Sequence, residues 1–364
     1  MRPWGESVAN SQQNRYLLTY PSPVQSRASG LNLDRLIERG NNTRCQCVAG
    51  CENNWPKGIH VSELDVHSGS YRVPRSEGAD LIIRWASATD TGRKREVNQD
   101  ALIARFPLFV VADGMGGHEA GEVASAAVVD HLGSLLDSGA TVTRENLENS
   151  LRGAVHQMAE AVGPSELGTG TTITGVVYAG AGAAESQWSV LNIGDSRVYR
   201  LAEGRLDQIT VDHSIVQELL SAGAISPAEA ENHPHGNVIT RAVGLNEDPI
   251  PDYVTVRTSP GARWVVCSDG LTKELTDYGI QHFLENSETP ADALLAMFTA
   301  ALGNGGRDNI SAIVFDELLD DASVAAETPN TPASSSDVST QAPADEATSA
   351  AAAANPAVTA TVND

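Results

Sequence analysis

The sequence predicts an α+β fold in layers, with two mostly antiparallel sheets and helices on their outer faces. Strand-length apolar runs come in groups, separated by turns rich in Gly, Pro and Asn. Helix-period stripes come in two adjacent pairs and do not alternate with single strands, as a parallel βαβ sheet would require. With 41% hydrophobic and 20% charged residues in a chain of 364, there is material for one large domain or two ordinary ones.

The elements follow in order. Ile82 to Ala88 reads as a strand ending at a Thr91-Gly92 turn, and Ala101 to Arg105 and Leu108 to Ala112 as two strands joined at Pro107. From Glu119 to Leu136, Val123, Ala127, Val128, Leu132 and Leu135 form a helical stripe. Thr143 opens a second helix, with Glu145 in its first turn and Leu147, Leu151, Val155, Met158 and Val162 on one face. Strands are then expected at Thr171 to Tyr178, Trp188 to Ile193, Arg197 to Leu201 and Leu206 to Thr210. His213 to Ala222 and Pro227 to Asn232 read as helices, and Val238 to Ala242, Tyr253 to Arg257 and Trp264 to Ser268 as strands. A helix pair, Asp277 to Leu284 and Ala291 to Leu302, precedes a last strand, Ile310 to Asp316.

The two ends differ from this middle. Residues 1–80 have many breakers and little periodicity, and read as a poorly structured extension. The folded part is expected over 81–318, and 319–364 is expected to be a disordered acidic tail of Ala, Thr, Ser, Pro and Asp. Its few large apolar residues bury too little surface to offset the entropy of ordering.

The formal net charge is −23, and no Lys or Arg follows Arg307. This balance argues against nucleic acid or an anionic membrane as partner, since phosphate-rich surfaces need clustered cations. It suits divalent cations or basic partners. No stretch approaches the ~20 apolar residues of a spanning helix, and no basic segment leads into an apolar run at the N-terminus. A cytoplasmic location and no membrane span are expected. Four cysteines make no disulfide scaffold. Cys45, Cys47 and Cys51, with His60 and His67 beyond, lack the paired spacing of zinc ribbons and read as unrelated cysteines, while Cys267 reads as core.

Four aspartates end or border apolar strands in Gly- or Asn-containing turns: Asp113 in Ala112-Asp113-Gly114-Met115-Gly116-Gly117-His118, Asp195 in Gly194-Asp195-Ser196, Asp269 in Ser268-Asp269-Gly270, and Asp308 in Arg307-Asp308-Asn309. A single Asp-Gly makes a turn and nothing more. Four beside core strands of one domain can converge, and converging carboxylates repel unless a divalent cation sits among them. Oxygen-only ligands suit Mg²⁺ or Mn²⁺. Upstream, Arg95 lies five residues before Asp100 in a polar segment, and a guanidinium fork beside such a site is suited to phosphate oxygens.

The ordered set of Arg95, Asn98-Gln99-Asp100, Asp113 to His118, Gly168-Thr169-Gly170-Thr171-Thr172, Gly194 to Arg197, Ser268 to Gly270 and Asp308-Asn309 resembles the bacterial branch of the metal-dependent serine/threonine phosphatases, the protein phosphatase 2C family. The resemblance spans about Ile83 to Phe315. It implies a β-sandwich flanked by helix pairs on both outer faces, with two Mn²⁺ or Mg²⁺ ions at one end. On the matching positions, Asp113 resembles the bridging metal ligand, Gly114 a backbone ligand, and Asp269 and Asp308 the remaining ligands. Asp195 resembles a ligand of a weaker third ion. Arg95 resembles the phosphate-gripping arginine, Asp100 the group that holds metal-bound waters, and Val211 to Val243 a flap beside the cleft. The implied reaction is hydrolysis of phosphoserine and phosphothreonine on proteins by a metal-bridging hydroxide without a phosphoenzyme, with His118 suited to protonate the leaving alkoxide. The implied role is signal transduction by a monomer whose partners are phosphoproteins, a serine/threonine kinase and its substrates among them.

Two positions depart from the pattern. Gln99 stands where some members have Glu, and a neutral amide there implies that the second ion is held through waters. Lys273, four residues after Asp269, stands where some carry another acid, so the third ion is expected to bind weakly. Two other readings remain: a phosphatase for one dedicated regulator, such as an anti-sigma-factor antagonist, and a catalytically silent phosphoprotein-binding module. Silent relatives lose metal aspartates, whereas Asp113, Asp269 and Asp308 are all present here.

Overall fold

Twelve strands and seven helices make up the described part of this computed structural model, which covers residues 64–75, 78–116, 120–162, 169–180, 186–230, 233–245 and 248–320. In chain order they are β1 (His67–Val73), β2 (Leu81–Asp90), β3 (Asp100–Arg105), β4 (Leu108–Met115), α1 (Ala120–Asp137), α2 (Arg144–Val162), β5 (Gly170–Thr171), β6 (Ile173–Tyr178), β7 (Gln187–Ile193), β8 (Arg197–Ala202) and β9 (Arg205–Gln208). Then come α3 (Ile215–Ser221), α4 (Pro227–Ala230), β10 (Asp252–Arg257), β11 (Arg263–Cys267), α5 (Asp269–Thr272), α6 (Asp277–Glu285), α7 (Pro290–Asn304) and β12 (Ile310–Leu319). The compact unit that holds them begins at Leu64.

One sheet runs β1-β2-β12-β11-β8-β9 and the other β10-β7-β6-β4-β3, with β5 on β4. Every pairing is antiparallel. The expected sandwich with helix pairs outside is therefore what forms. Central strands read as unbroken apolar runs because both of their faces are covered. Along β4, Leu108, Val110 and Ala112 pack under α1 and α2, whereas Phe109 and Val111 face the opposite sheet. Along β12, Ile310, Ala312 and Val314 meet α6 and α7, and Ile313 and Phe315 join the layer between the sheets. That layer is aromatic: Phe315 stacks on Phe109 at 4.9 Å and on Trp264 at 5.6 Å between ring centroids. Each fully buried Phe-sized side chain contributes roughly 1.5–3 kcal/mol.

The helices start where their caps dictate. Thr289 and Asp292 close a capping box on α7, with Pro290 in its first turn, and Thr276 caps α6.

Several elements differ from expectation. β1 lies inside the segment read as unstructured; its sequence HSGSYRV is mostly exposed, and it is ordered by pairing with β2, by Tyr71 stacking on Phe106 and by Arg72 pairing with Asp80 and Asp320. The expected strand at Val238 to Ala242 is instead a loop with isolated bridges, Ser214 to Ile239 and Thr171 to Val243. The run from Thr171 to Tyr178 breaks at Thr172, whose N–H donates to Asp113 O at 2.8 Å. A short helix, α5, follows Ser268 where only a turn was expected. β12 continues through Leu319, past the expected boundary at 318. His118, Cys45, Cys47, Cys51, His60 and the tail from 321 onward lie outside the described residues.

Candidate metal centre

The sheet register gathers the aspartates at one end of the sandwich. β4 carries Asp113-Gly114 just before its end at Met115, β3 starts at Asp100, β11 runs into Ser268-Asp269, and Asp308-Asn309 leads into β12. The turn from β7 to β8 carries Asp195, beside Gly194 at φ 118°. Asp100 and Asp113 are direct partners across β3 and β4. Asp113 shares the parity of Phe109 and Val111, so it projects between the sheets.

Close backbone approaches hold these turns together. A Cβ on Gly270 would lie 1.9 Å from Asn309 O, and one on Gly114 would lie 2.1 Å from Gly121 O, so only glycine fits at either place. The Asp113 backbone is gripped by Thr171 and Thr172: its N–H donates to Thr172 Oγ1 at 3.0 Å and its carbonyl accepts from Thr171 Oγ1 at 2.9 Å. Asp100 Oδ2 accepts from Ser268 Oγ at 2.8 Å. Asn309 ties the arginine loop to β12: its Nδ2 donates to Thr91 O at 2.9 Å and Val97 O at 3.0 Å, and its Oδ1 accepts from Gln99 N at 2.9 Å.

Two cations enter the cluster. Arg95 reaches in from an exposed loop, with Nη2 at 2.8 Å from Asp308 Oδ1. Lys273 Nζ lies 2.5 Å from Asp269 Oδ2 and 2.9 Å from Asp308 Oδ2. They do not neutralise the whole set. Removal from water, reinforced by the neighbouring aspartates, pushes the Asp113 carboxyl well above the usual carboxylate range. Burial raises Asp100 to about 6 and Asp195 to about 7. Asp308 goes the other way: Lys273 and Arg95 overcome its burial and hold it below the usual value.

The residues present fit a divalent-cation site. Asp100 Oδ1 and Asp269 Oδ1 are buried oxygens without a hydrogen-bond partner, in a cluster of carboxylates too close to ionise together unaided. The side-chain donors are all oxygen, as Mn²⁺ and Mg²⁺ prefer. Among the described residues no three acidic, His or Cys side chains are arranged to chelate one ion as they stand. The Lys273 ammonium stands between Asp269 and Asp308, on one oxygen of each.

Of the expected site residues, Asp100, Asp113, Asp195, Asp269 and Asp308 converge, Gly114 is buried beside them, and Arg95 stands at the rim. Gln99 lies against Gly121, with its Nε2 buried and unpartnered, and its carbonyl accepts from Gly114 N at 3.0 Å. The segment from Val211 to Val243, expected as a flap, is tied down by Arg241 Nη1, 2.7 Å from Asp252 Oδ1, and by His213, whose Nδ1 accepts from Gly194 N at 3.1 Å. The bracing roles of Asn309, Ser268 and Thr172 were not anticipated. The Asn after Asp308 was the available signal for the first of them.

Residues 89–304 match the family profile described as protein phosphatase 2C. The chain is 37% identical over 241 residues to the serine/threonine protein phosphatase PstP of Mycobacterium tuberculosis, covering 65% of this chain and 45% of that one, so it spans less than half of that relative's length. It is 35% identical over 243 residues to the serine/threonine phosphatase stp of Listeria monocytogenes, covering 64% of this chain and 94% of the relative. Among solved structures, that of the Mycobacterium tuberculosis phosphatase PstP/Ppp superposes with a TM-score of 0.59 at 35% identity, over 65% of this chain and 99% of the other. A structure of the PstP catalytic domain in complex with two manganese ions superposes with a TM-score of 0.58 at 35% identity, over 65% and 99% of the two chains.

Proposed function

The chain belongs to the protein phosphatase 2C family, and from that premise we propose that it hydrolyses phosphoserine and phosphothreonine on proteins with the help of two Mn²⁺ or Mg²⁺ ions. The observation that carries this reading is the convergence of Asp100, Asp113, Asp195, Asp269 and Asp308 at one end of the sandwich, with Arg95 at its mouth.

Asp113, the Gly114 carbonyl, Asp269 and Asp308 are the groups that would hold the ions, with Asp195 facing the same space. Such ions supply Lewis acidity toward phosphate oxygens and a water of lowered pKa. Asp100 is held by Ser268 Oγ on one oxygen, which leaves the other free to orient a water by hydrogen bonding. Arg95 keeps one nitrogen on Asp308, and its remaining donors can take two phosphate oxygens, stabilising charge that spreads over them in the transition state. Direct attack by water needs no residue to carry the phosphoryl group. His118 is the proton donor to the leaving alkoxide in this reading, on the strength of its place in the Asp113 to His118 motif.

Phosphoserine and phosphothreonine arise by kinase transfer, so a serine/threonine kinase is the opposing enzyme and its substrates are the partners. The reading includes a monomer in the cytoplasm. No helix among the described residues is long and apolar enough to cross a membrane.

Phosphate release from a phosphothreonine peptide, measured with Mn²⁺ and with excess EDTA, tests the proposal. Release that requires Mn²⁺ is expected; none under either condition would refute it.

A further inference from the structure

Lys273 is a cation built into the centre. It caps α5 one turn after Asp269, which directs its side chain over the aspartate's own turn. Its backbone is fixed on both sides: its N–H donates to Asp269 O at 2.7 Å, and its carbonyl accepts from Arg307 Nη2 at 2.9 Å. The ammonium is thus delivered to one place, 2.5 Å from Asp269 Oδ2 and 2.9 Å from Asp308 Oδ2. Arg95 differs: it comes from the rim, 47% exposed, and touches Asp308 alone among these groups.

Charge counting gives the contact its meaning. Asp100, Asp113, Asp195, Asp269 and Asp308 bring five negative charges to one pocket. Two divalent ions supply four positive charges and the Lys273 ammonium the fifth, while the Arg95 guanidinium, at the exposed rim on Asp308, is left to offset the charge of the substrate phosphate. A third divalent ion would have to enter a centre already neutral, next to a fixed ammonium.

We propose that Lys273 acts as the third cation of this centre, a tethered ammonium that orients Asp269 and Asp308 and limits the site to two divalent ions. The proposal rests on the metal-dependent reading above. Lys273 is a positioning residue here: it acts on the carboxylates and not on the substrate.

Mn²⁺ stoichiometry of the full chain by equilibrium dialysis, with melting in EDTA, separates the two claims. Wild type and Lys273→Arg are expected to bind two Mn²⁺ per chain, and Lys273→Asp to bind three, because its six carboxylates then call for three ions. Lys273→Gln, the milder change, is expected to melt at lower temperature than wild type in EDTA and to bind its two ions at least about tenfold more tightly, since a repelling ammonium a few Å away is gone. Three ions in wild type would overturn the proposal, as would two in Lys273→Asp or unchanged affinity in Lys273→Gln. Absence of any bound Mn²⁺ in wild type would instead overturn the metal-dependent reading, and the tether with it.

Discussion

Asp100 and Asp113 sit directly opposite each other in the antiparallel pairing of β3 with β4. Like charges across a ladder repel, so this register carries a cost that the fold alone does not explain. A cation between them would remove the cost, which makes the pair an indicator of what the site holds.

Replacing Asp113 by Asn should therefore stabilise the metal-free chain. Relief of repulsion on the order of 1 kcal/mol would raise Tm by about 2–4 °C for a domain of this size. The same variant should lose the additional stabilisation that Mn²⁺ gives wild type. Thermal melts with EDTA and with Mn²⁺ check both halves; a lower Tm in EDTA would contradict the repulsion account.

Arg95→Lys should lower kcat/KM on a phosphopeptide by about 10²-fold, because a single ammonium cannot replace a fork that holds Asp308 and phosphate together. Mn²⁺ affinity should stay within about threefold of wild type, since Arg95 touches the ligands only from the rim. Steady-state kinetics beside a Mn²⁺ titration reads the two separately.

Asn309→Ala should release the arginine loop. Three hydrogen bonds to the backbone of Thr91, Val97 and Gln99 disappear together. The expected result is a stability loss of about 2–3 kcal/mol and a fall in kcat/KM larger than the folded fraction accounts for. Urea unfolding and assays at saturating Mn²⁺ measure them.

Glu317 gives a pH dependence remote from the metal centre. It lies in the layer between the sheets, accepts from Trp264 Nε1 at 2.6 Å and Ser259 N at 2.8 Å, and burial pushes its carboxyl up to about 7. The folded state thus holds this proton more tightly than the unfolded state, whose value is the ordinary 4.5. Its contribution favours folding most below that ordinary value and is lost as pH rises through the folded one. Glu317→Gln should remove the effect, so the variant should gain on wild type between pH 5.5 and pH 8 by about 1–3 kcal/mol. Paired melts at the two pH values check it; a difference that shrinks with pH would contradict the sign.

The ends of the central strands were legible because each Asp ends or borders an apolar run in a turn that contains Gly or Asn, a pattern local enough to read. Segregation of strand and helix periods likewise announced the two sheets and their outer helices. β1 was hidden because an edge strand with few buried side chains has no alternation to show. Val238 to Ala242 has strand-like composition, but its neighbours offer only isolated bridges. Asn309 could not be read as a brace, since its partners lie more than two hundred residues away in sequence. The charge of Lys273 was visible at its spacing from Asp269, but its simultaneous contact with Asp308 depends on how β11 and β12 pair.

The most direct test of the central claim is phosphate release from a phosphothreonine peptide by wild type and by Asp269→Asn at saturating Mn²⁺. Asp269 offers a buried, unpartnered oxygen to the cluster while Lys273 holds the other. Loss of that ligand should reduce kcat/KM by at least about 10²-fold with the fold intact. Equal activity in the two proteins, with or without Mn²⁺, would contradict the assignment of this aspartate cluster as the metal centre of a phosphatase.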